Sequence, residues 1–161
     1  MVLLDANFLL YVLLPQVPSS NPADQQSVER LLSRLAKKRE RILIPTPVLG
    51  EVLVHSGNAR AQHVQILKKA ARFRIAPFDE VAAIQAAEAL EKDLKDGFTI
   101  KSGAKSERAV IKVDRQIVQI AKIEQVRFIY SNDEGVAKLG ERAGISVIDF
   151  DTISLHLDPL P

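Results

Sequence analysis

Short, wholly apolar runs recur along the chain, and each is followed by a stretch long enough for a helix. Three of these runs are Val2-Leu3-Leu4, Ile42-Leu43-Ile44 and Phe128-Ile129-Tyr130. A strand that is apolar on both faces is typical of a parallel sheet that helices cover on each side. We therefore expect an α/β fold with three layers, α/β/α, around a central parallel twisted sheet.

The segments between the runs carry helix signals. Asp79 fits the N-cap of an alanine-rich helix that reaches Asp96, and Thr46 with Pro47 fits the cap and first position of a helix that contains Glu51. Helical spacing predicts two apolar faces that point to the core: Ile66, Ala70 and Phe73 in one helix, and Val113, Ile117, Ile120 and Ala121 in a helix from Glu107 to Glu124. Since no repeat or long linker divides the chain, we expect one domain over residues 1–161.

Composition excludes several classes of site. The chain has no cysteine, which excludes a disulfide framework, a zinc finger, an iron–sulfur cluster and thiol catalysis. The longest apolar run, Phe8 to Leu14, has seven residues, too few to span a bilayer, and no basic residue precedes it as in a signal peptide. We expect a cytoplasmic protein without a membrane segment.

The formal net charge of +2 conceals an uneven distribution. Ser27 to Arg41 carries six basic residues and two acids, and Val52 to Phe78 carries five basic residues and no acid. Asp79 to Asp96 reverses the sign with six acids. Near-neutrality is therefore a cancellation, and basic helices that could meet a phosphate backbone coexist with acids that could hold a metal.

Acidic residues follow the predicted strands. Asp5 comes directly after the first strand, Glu51 lies in the helix after the second, and Asp133 follows the Phe128–Tyr130 strand; Asp114 lies in the helix that leads into that strand. Because the carboxyl ends of parallel strands share one edge of the sheet, at least three of these four acids should collect there. Each acid alone also has a structural explanation, such as a helix cap or an ion pair, so the inference depends on their coincidence.

Carboxylates gathered in one crevice repel one another unless they share protons or a cation. Hard ions such as Mg²⁺ and Mn²⁺ prefer oxygen ligands, and a chain without cysteine or a paired histidine motif favours such an ion over zinc. A site of this kind suits metal-assisted phosphodiester cleavage, in which the ions lower the pKa of a bound water and stabilise the attacking and leaving oxygens.

At these residues the sequence resembles PIN-domain ribonucleases, and most of all the VapC-type toxins of bacterial and archaeal toxin–antitoxin pairs. Four motifs carry the resemblance, in family order and at family-like spacings. They are Val2-Leu3-Leu4-Asp5-Ala6-Asn7, Ile44-Pro45-Thr46-Pro47-Val48-Leu49-Gly50-Glu51-Val52, Val113-Asp114-Arg115-Gln116-Ile117 and Tyr130-Ser131-Asn132-Asp133.

The resemblance implies an endoribonuclease that depends on Mg²⁺ or Mn²⁺, with RNA as its substrate. Its metal ligands would be Asp5, Glu51, Asp114 and Asp133. It also implies that Asn7 and Ser131 orient these carboxylates by hydrogen bonds, that the protein is a homodimer, and that a cognate antitoxin covers the site. The basic residues beside Asp114, Lys112 and Arg115, are candidate substrate contacts, and either could instead pair with Asp114.

Two features depart from the family pattern. Asp114 is followed by Arg115-Gln116, where relatives usually carry small or apolar residues, which puts the orientation of Asp114 in doubt. The segment Lys95 to Lys112 is longer and more basic than a compact toxin needs, and it is either a flap that contacts substrate or a solvated loop.

Other functions remain open from the sequence. A phosphatase of the haloacid dehalogenase type needs an aspartate two residues after Asp5, where Asn7 stands, and a metal-dependent adhesion site needs a hydroxyl where Leu9 stands. The main alternative is a PIN-like module that binds RNA or assembles complexes without catalysis. Within the enzymes, the chain could also be a PIN nuclease of RNA maturation or one that acts on DNA.

Overall fold

Parallel strands form the centre of the computed structural model, which describes residues 1–14, 22–98 and 112–154. The strands run in the order β3-β2-β1-β4-β5, and every neighbouring pair is parallel. Their bounds are β1 Val2–Leu4, β2 Ile42–Pro45, β3 Phe73–Ala76, β4 Phe128–Tyr130 and β5 Ser146–Ile148. The predicted parallel sheet is therefore confirmed.

Helices connect the strands. They are α1 Ala6–Leu13, α2 Pro22–Lys37, α3 Thr46–Val54, α4 Arg60–Lys69, α5 Glu80–Lys95, α6 Val113–Ile123 and α7 Glu134–Arg142, with a 3₁₀ turn at Gly57–Ala59. In the described parts of the chain, no helix is both long and apolar enough to cross a bilayer. The start of α6 predicted at Glu107, and most of the Lys95–Lys112 segment, lie outside the described residues.

Both faces of the sheet are buried, as the apolar strands predict. On one face Leu3 and Ile129 pack in a core cluster with Ile120 of α6, and each is at most 1% exposed. On the other face Leu4 packs in a second cluster with Leu31 of α2. The alternation of adjacent strand residues between two clusters confirms the three-layer α/β/α arrangement.

The start of α3 differs by one residue from the predicted cap. The helix begins at Thr46, and Pro45 is the N-cap residue, without a side-chain cap hydrogen bond. The Thr46 hydroxyl instead accepts a hydrogen bond from the Phe78 backbone N–H at 3.1 Å. The hydroxyl thus ties α3 to the connection between β3 and α5, a tertiary contact that local cap signals do not reveal.

Two predicted core positions are wrong. Ile66 is 47% exposed and Val113 is 44% exposed, whereas Leu67 is the buried residue of α4. The predicted face of α4 assumed a helix running to Phe73, but α4 ends at Lys69. The other predicted core residues of α6 are buried, and these are Ile117, Ile120 and Ala121.

Two helical glycines give a matched test of packing between α7 and β5. A Cβ on Gly140 would lie 2.5 Å from Val147 Cγ2, whereas a Cβ on Gly50 meets nothing within 4 Å. Both alanine substitutions gain helix propensity, roughly 0.5–1 kcal/mol, but Gly140→Ala also overpacks, which typically costs about 1–3 kcal/mol. Urea unfolding should show Gly50→Ala more stable than the parent and Gly140→Ala less stable. Equal stabilisation of both variants would contradict the packing.

Candidate functional site

Asp5 occupies the junction between β1 and α1. Its backbone N–H donates to the Tyr130 carbonyl at 3.0 Å, which continues the β1–β4 pairing past the end of the strand. Its side chain caps α1, where Oδ1 accepts from the Ala6 N–H at 2.7 Å. Asp5 is 5% exposed. The apolar strand and the cap together hold this carboxylate at the carboxyl edge of the sheet.

Ser131 connects Asp5 to the end of the neighbouring strand. It follows β4 directly and is 1% exposed. Its hydroxyl donates to Asp5 Oδ2 at 2.5 Å and accepts from the Asp133 backbone N–H at 3.1 Å. The predicted orienting hydrogen bond of Ser131 to a carboxylate is thus present in the structure.

Asp133 lies two residues beyond Ser131 and caps α7. Its Oδ1 accepts from the Val136 N–H at 3.0 Å, and the residue is exposed. The cap fixes one carboxylate oxygen at the amino end of the helix, where the partial positive charge of the backbone N–H groups favours an anion. The structural explanation of this aspartate as a cap is therefore correct, and it does not exclude a ligand role.

Asp114 lies in the first turn of α6 and meets the start of α7. A Cβ built on Gly135 would lie 2.4 Å from Asp114 Oδ2 and 3.0 Å from Asp133 Oδ1. Both carboxylates therefore crowd the same glycine, and only the absence of a side chain lets Asp114 approach so closely. This contact could not be predicted from the sequence, because a glycine in the first turn of a helix has no distinctive local pattern.

Glu51 contributes the remaining acid from α3, the helix that begins at the end of β2. The residue is exposed. Its negative charge, together with that of Asp133, raises the pKa of Asp5. Glu51, which follows β2, therefore acts electrostatically on Asp5, which follows β1.

Burial and mutual repulsion shape the titration of two of the acids. Burial is the main cause that raises the pKa of Asp5, against hydrogen bonds from Ser131 and Ala6 that lower it. Burial also raises the pKa of Asp114; the charge of Asp133 adds to this rise, and the charge of Lys112 opposes it. The acids are therefore linked in pairs: Asp5 with Glu51, Asp5 with Asp133, and Asp114 with Asp133.

Asn7 lies in the first turn of α1, two residues after Asp5. Its Oδ1 atom is buried and has no hydrogen-bond partner among the described residues. A hydrogen bond from Asn7 to a carboxylate would use the amide N–H groups and not Oδ1, so the orienting role predicted for Asn7 stays a prediction. A buried oxygen without a partner at this edge is a further donor atom that an ion or a water could use.

The acids are near one another but are not yet arranged as a complete ligand set. Within residues 1–14, 22–98 and 112–154, no three acidic or histidine side chains are grouped closely enough to hold a metal ion. Three of the four acids also have structural contacts. Asp5 and Asp133 each use one carboxylate oxygen to cap a helix, and Asp114 packs against Gly135. A shared ion would require these side chains to rearrange from the positions described.

Arg115, a predicted substrate contact, is buried. Its side chain is 8% exposed, and Nη2 lies 2.7 Å from Asp93 Oδ2 of α5. Arg142 of α7 also pairs with Asp93 and with Asp96. The Asp93 carboxylate of α5 therefore pairs with both Arg115 of α6 and Arg142 of α7, and the contact of Arg115 with substrate stays a prediction. Lys112 lies beside Asp114 at the N-cap of α6, and its contact with substrate also stays a prediction.

A cavity of about 550 Å³, lined by both charged and apolar residues, lies between α5, α6 and α7. Asp93, Arg115 and Arg142 are among its lining residues, and none of the four acids lines it. The cavity is therefore distinct from the carboxyl edge of the sheet, where the acids lie.

Comparisons with known proteins agree with this geometry. The PIN domain family model matches residues 2–142, and a sequence search of curated proteins found no significant match. VapBC2 from Rickettsia felis, solved bound to a DNA fragment from its promoter, is 17% identical with a TM-score of 0.60, and the match covers 92% of this chain and 98% of that one.

VapC20 from Mycobacterium tuberculosis, described as a toxin that cleaves the sarcin-ricin loop, is also similar. It is 15% identical with a TM-score of 0.57, and the match covers 87% of this chain and 95% of that one. At such identities the similarity supports the fold. The family model, which spans most of the chain, decides the family: this protein belongs to the PIN domain family.

Proposed function

We propose that the protein is a metal-dependent endoribonuclease and the toxin of a toxin–antitoxin pair, formed by one domain over residues 1–161 and acting in the cytoplasm. The observation that carries the proposal is the hydrogen-bonded link from Asp5 through Ser131 to Asp133, at the sheet edge that also holds Asp114 and Glu51. A PIN domain with four acids gathered at this edge fits a nuclease better than a passive scaffold.

The donor set fits a hard divalent ion, Mg²⁺ or Mn²⁺. Asp5, Glu51, Asp114 and Asp133 would hold it, all through oxygen atoms. Burial raises the pKa of Asp5 and Asp114, and repulsion from the neighbouring acids adds to the rise, so a cation would relieve an electrostatic cost that the fold already carries. When bound, such an ion acts as a Lewis acid on the phosphate and makes water a stronger nucleophile.

The chain's own groups orient the reaction. Ser131 holds Asp5 Oδ2 by its hydroxyl, so that the rotation of this carboxylate is restricted. The amino ends of α1 and α7 meet the site at Asp5 and Asp133, and their backbone N–H groups favour anions there, including a phosphodiester. No protein nucleophile and no histidine base is part of this proposal.

The partners follow from the resemblance and from the solved VapBC complexes. We propose that RNA is the substrate, that two copies of the chain form a homodimer, and that an antitoxin encoded nearby covers the acidic edge. Of the similar structures, those from Rickettsia felis, Salmonella typhimurium and nontypeable Haemophilus influenzae are VapBC structures.

One observation favours the alternative, a PIN module that binds RNA without cleaving it. Among the residues that the structure describes, no three acids lie close enough together to hold a metal ion. The same experiment separates the two functions, because only the nuclease needs Asp5 and a divalent ion.

Cleavage of RNA should depend on the metal and on Asp5. The purified protein is incubated with structured RNAs in Mn²⁺, in Mg²⁺ and in EDTA, beside Asp5→Asn and a control that removes an exposed carboxylate at the other end of α7, Glu141→Gln. We expect cleavage by the parent and by Glu141→Gln in metal only, and a loss of roughly 100-fold or more in Asp5→Asn. Cleavage that survives EDTA and Asp5→Asn would contradict the mechanism, and metal-independent RNA binding without cleavage would favour the binding module.

Removal of the Ser131 hydroxyl should impair the site without removing a ligand. Ser131→Ala frees Asp5 Oδ2 to rotate and leaves the Asp133 N–H without its acceptor. We expect the Mn²⁺ concentration needed for half-maximal cleavage to rise about 10- to 100-fold, the range typical when a residue that supports a metal ligand is lost. Ser131→Thr should recover most of the activity, since it restores the hydroxyl. A Ser131→Ala variant with unchanged Mn²⁺ dependence would contradict this role.

Gly135→Ala tests the placement of Asp114. The new Cβ would require Asp114 Oδ2, 2.4 Å away, to move. We expect weaker Mn²⁺ binding and slower cleavage, each by about 10-fold or more, with a melting temperature within a few degrees of the parent. Gly50→Ala, where a Cβ meets nothing within 4 Å, is the matched control. Wild-type Mn²⁺ affinity in Gly135→Ala would place Asp114 outside the site.

Removal of the Asp5 charge should stabilise the protein at neutral pH in EDTA. Burial raises the folded-state pKa of Asp5 above the ordinary value of 3.8, so the native state binds the proton more tightly than the unfolded state does. This contribution to stability is complete below pH 3.8 and is lost as the pH rises through the folded-state pKa.

We therefore expect the melting temperature of Asp5→Asn to exceed that of the parent at pH 7, and the difference to shrink as the pH falls towards 3.8. Calorimetry in EDTA measures this, and added Mn²⁺ should raise the melting temperature of the parent more than that of the variant. A variant less stable than the parent at pH 7 would show that hydrogen bonds outweigh burial at this carboxyl.

A further inference from the structure

Arginine comes directly before three of the five strands of the sheet. Arg41 precedes β2, Arg72 precedes β3 and Arg127 precedes β4. These residues lie at the amino edge of the sheet, opposite the acids. We call them the arginine row.

The pairing of the strands aligns the three arginines. Ile42 pairs with both Val2 and Phe73, so Arg41 and Arg72 occupy equivalent positions one residue earlier. The Arg127 N–H donates to the Met1 carbonyl at 2.9 Å, and the Val2 N–H donates to the Arg41 carbonyl at 3.0 Å, which places Met1 between the two arginines. Three strand spacings separate β3 from β4, so the row is about 14 Å long.

The guanidinium groups of the row face solvent. All three residues are exposed, and the side chain of Arg127 is 66% exposed, with Nη1 3.8 Å from Glu40 Oε2. Arg72 lies 5.3 Å over the ring of Phe73, and Arg127 lies 5.4 Å over the ring of Phe128. Among the described residues, Arg41 and Arg72 form no ion pair. The row therefore retains most of its positive charge.

Helix dipoles do not explain the row. The helices that return from the carboxyl edge end at the amino edge, and basic residues in their last turns, such as Lys37 and Lys122, offset the partial negative charge there. The arginines of the row precede strands instead of ending helices, so they add positive charge beyond what the helix ends require.

We propose that the arginine row binds the sugar-phosphate backbone of RNA away from the cleaved bond, an inference that rests on the proposed function. A row about 14 Å long exceeds the size of a single phosphate, so a polyanion is the ligand that could contact all three residues. Guanidinium groups bind phosphate in bidentate fashion without reading sequence.

The opposite edge explains why such a surface is needed. Without a bound metal the carboxylates at the carboxyl edge repel phosphates, so cations elsewhere on the protein would add to its affinity for RNA. Asp5 is four residues along the chain from Met1, which puts the two edges about 13 Å apart. This distance runs along the buried strand, so an RNA that contacts both the row and the acids has to wrap around the outside of the domain.

The test measures RNA binding without cleavage. In the Asp5→Asn background and in EDTA, the anisotropy of a labelled 30-nucleotide hairpin RNA is followed between about 50 and 200 mM KCl, the range over which ionic contacts weaken strongly. We expect the combined substitution Arg41→Gln, Arg72→Gln and Arg127→Gln to weaken binding about 100-fold at 0.1 M salt. The slope of log affinity against log salt concentration should fall by about 2–3.

Two control variants test whether the position of the charges and the charge itself account for the loss of RNA binding. Arg30→Gln, Lys92→Gln and Lys95→Gln remove the same charge outside the row and should leave affinity within about 3-fold, because counterion release depends on contacted phosphates rather than net charge. Lysine at all three positions of the row keeps the charge and should retain most of the binding. Circular dichroism and melting temperatures verify that every variant is folded.

Equal RNA affinity of the row variant and the control variant would overturn the proposal. So would a row variant that loses binding only to duplex DNA and keeps its affinity for RNA. Because the measurement needs neither metal nor cleavage, its result is separate from the nuclease assay. A parent protein that cleaves no RNA, but binds it through the row, would refute the proposed function and leave the surface in place.

Discussion

The carboxyl edge of the sheet depends on one hydroxyl. Ser131 donates to Asp5 Oδ2 and accepts from the Asp133 N–H, so a single buried side chain connects the end of β1 with the turn after β4. Asp5 and Ser131 are 126 residues apart in sequence, and only the adjacency of these two strands brings them together. If this contact is lost, Asp5 loses its orientation and Asp133 loses the bond that fixes its backbone.

Around this contact, helix-capping hydrogen bonds offset the cost of burying carboxylates and placing them near one another. Asp5 and Asp133 each accept a backbone N–H at the start of a helix, where an anion is favoured. Burial and neighbouring charges act in the opposite direction and raise the pKa of Asp5 and Asp114. A protein selected for stability alone would place an uncharged residue at Asp5, so the retained charge is the physical reason to expect a cation there. The arginine row adds the complementary feature, exposed positive charge at the opposite edge of the sheet, where Glu40 pairs with the N-terminus and lies near Arg127.

Sequence reasoning reached the sheet and the acids because their signals are local. Wholly apolar strands predicted the parallel sheet, and Asp5 and Asp133 directly follow strands whose carboxyl ends must share an edge. Prediction failed where contacts between residues distant in the sequence determine the structure. The pairing of Arg115 with Asp93 joins two helices that are separate in the sequence, and Gly135 matters only because Asp114 lies against it. Helical periodicity could not indicate that α4 stops at Lys69 and buries Leu67 instead of Ile66.

The most direct measurement of the central claim is a crystal structure of the protein grown with Mn²⁺, with anomalous scattering recorded near the manganese edge. The proposed site predicts an anomalous peak at the carboxyl edge of the sheet, coordinated by Asp5 and by at least two of Glu51, Asp114 and Asp133, with Ser131 still bonded to Asp5. A peak coordinated only by other residues, or no peak at a saturating Mn²⁺ concentration, would contradict the claim that these acids form a metal centre.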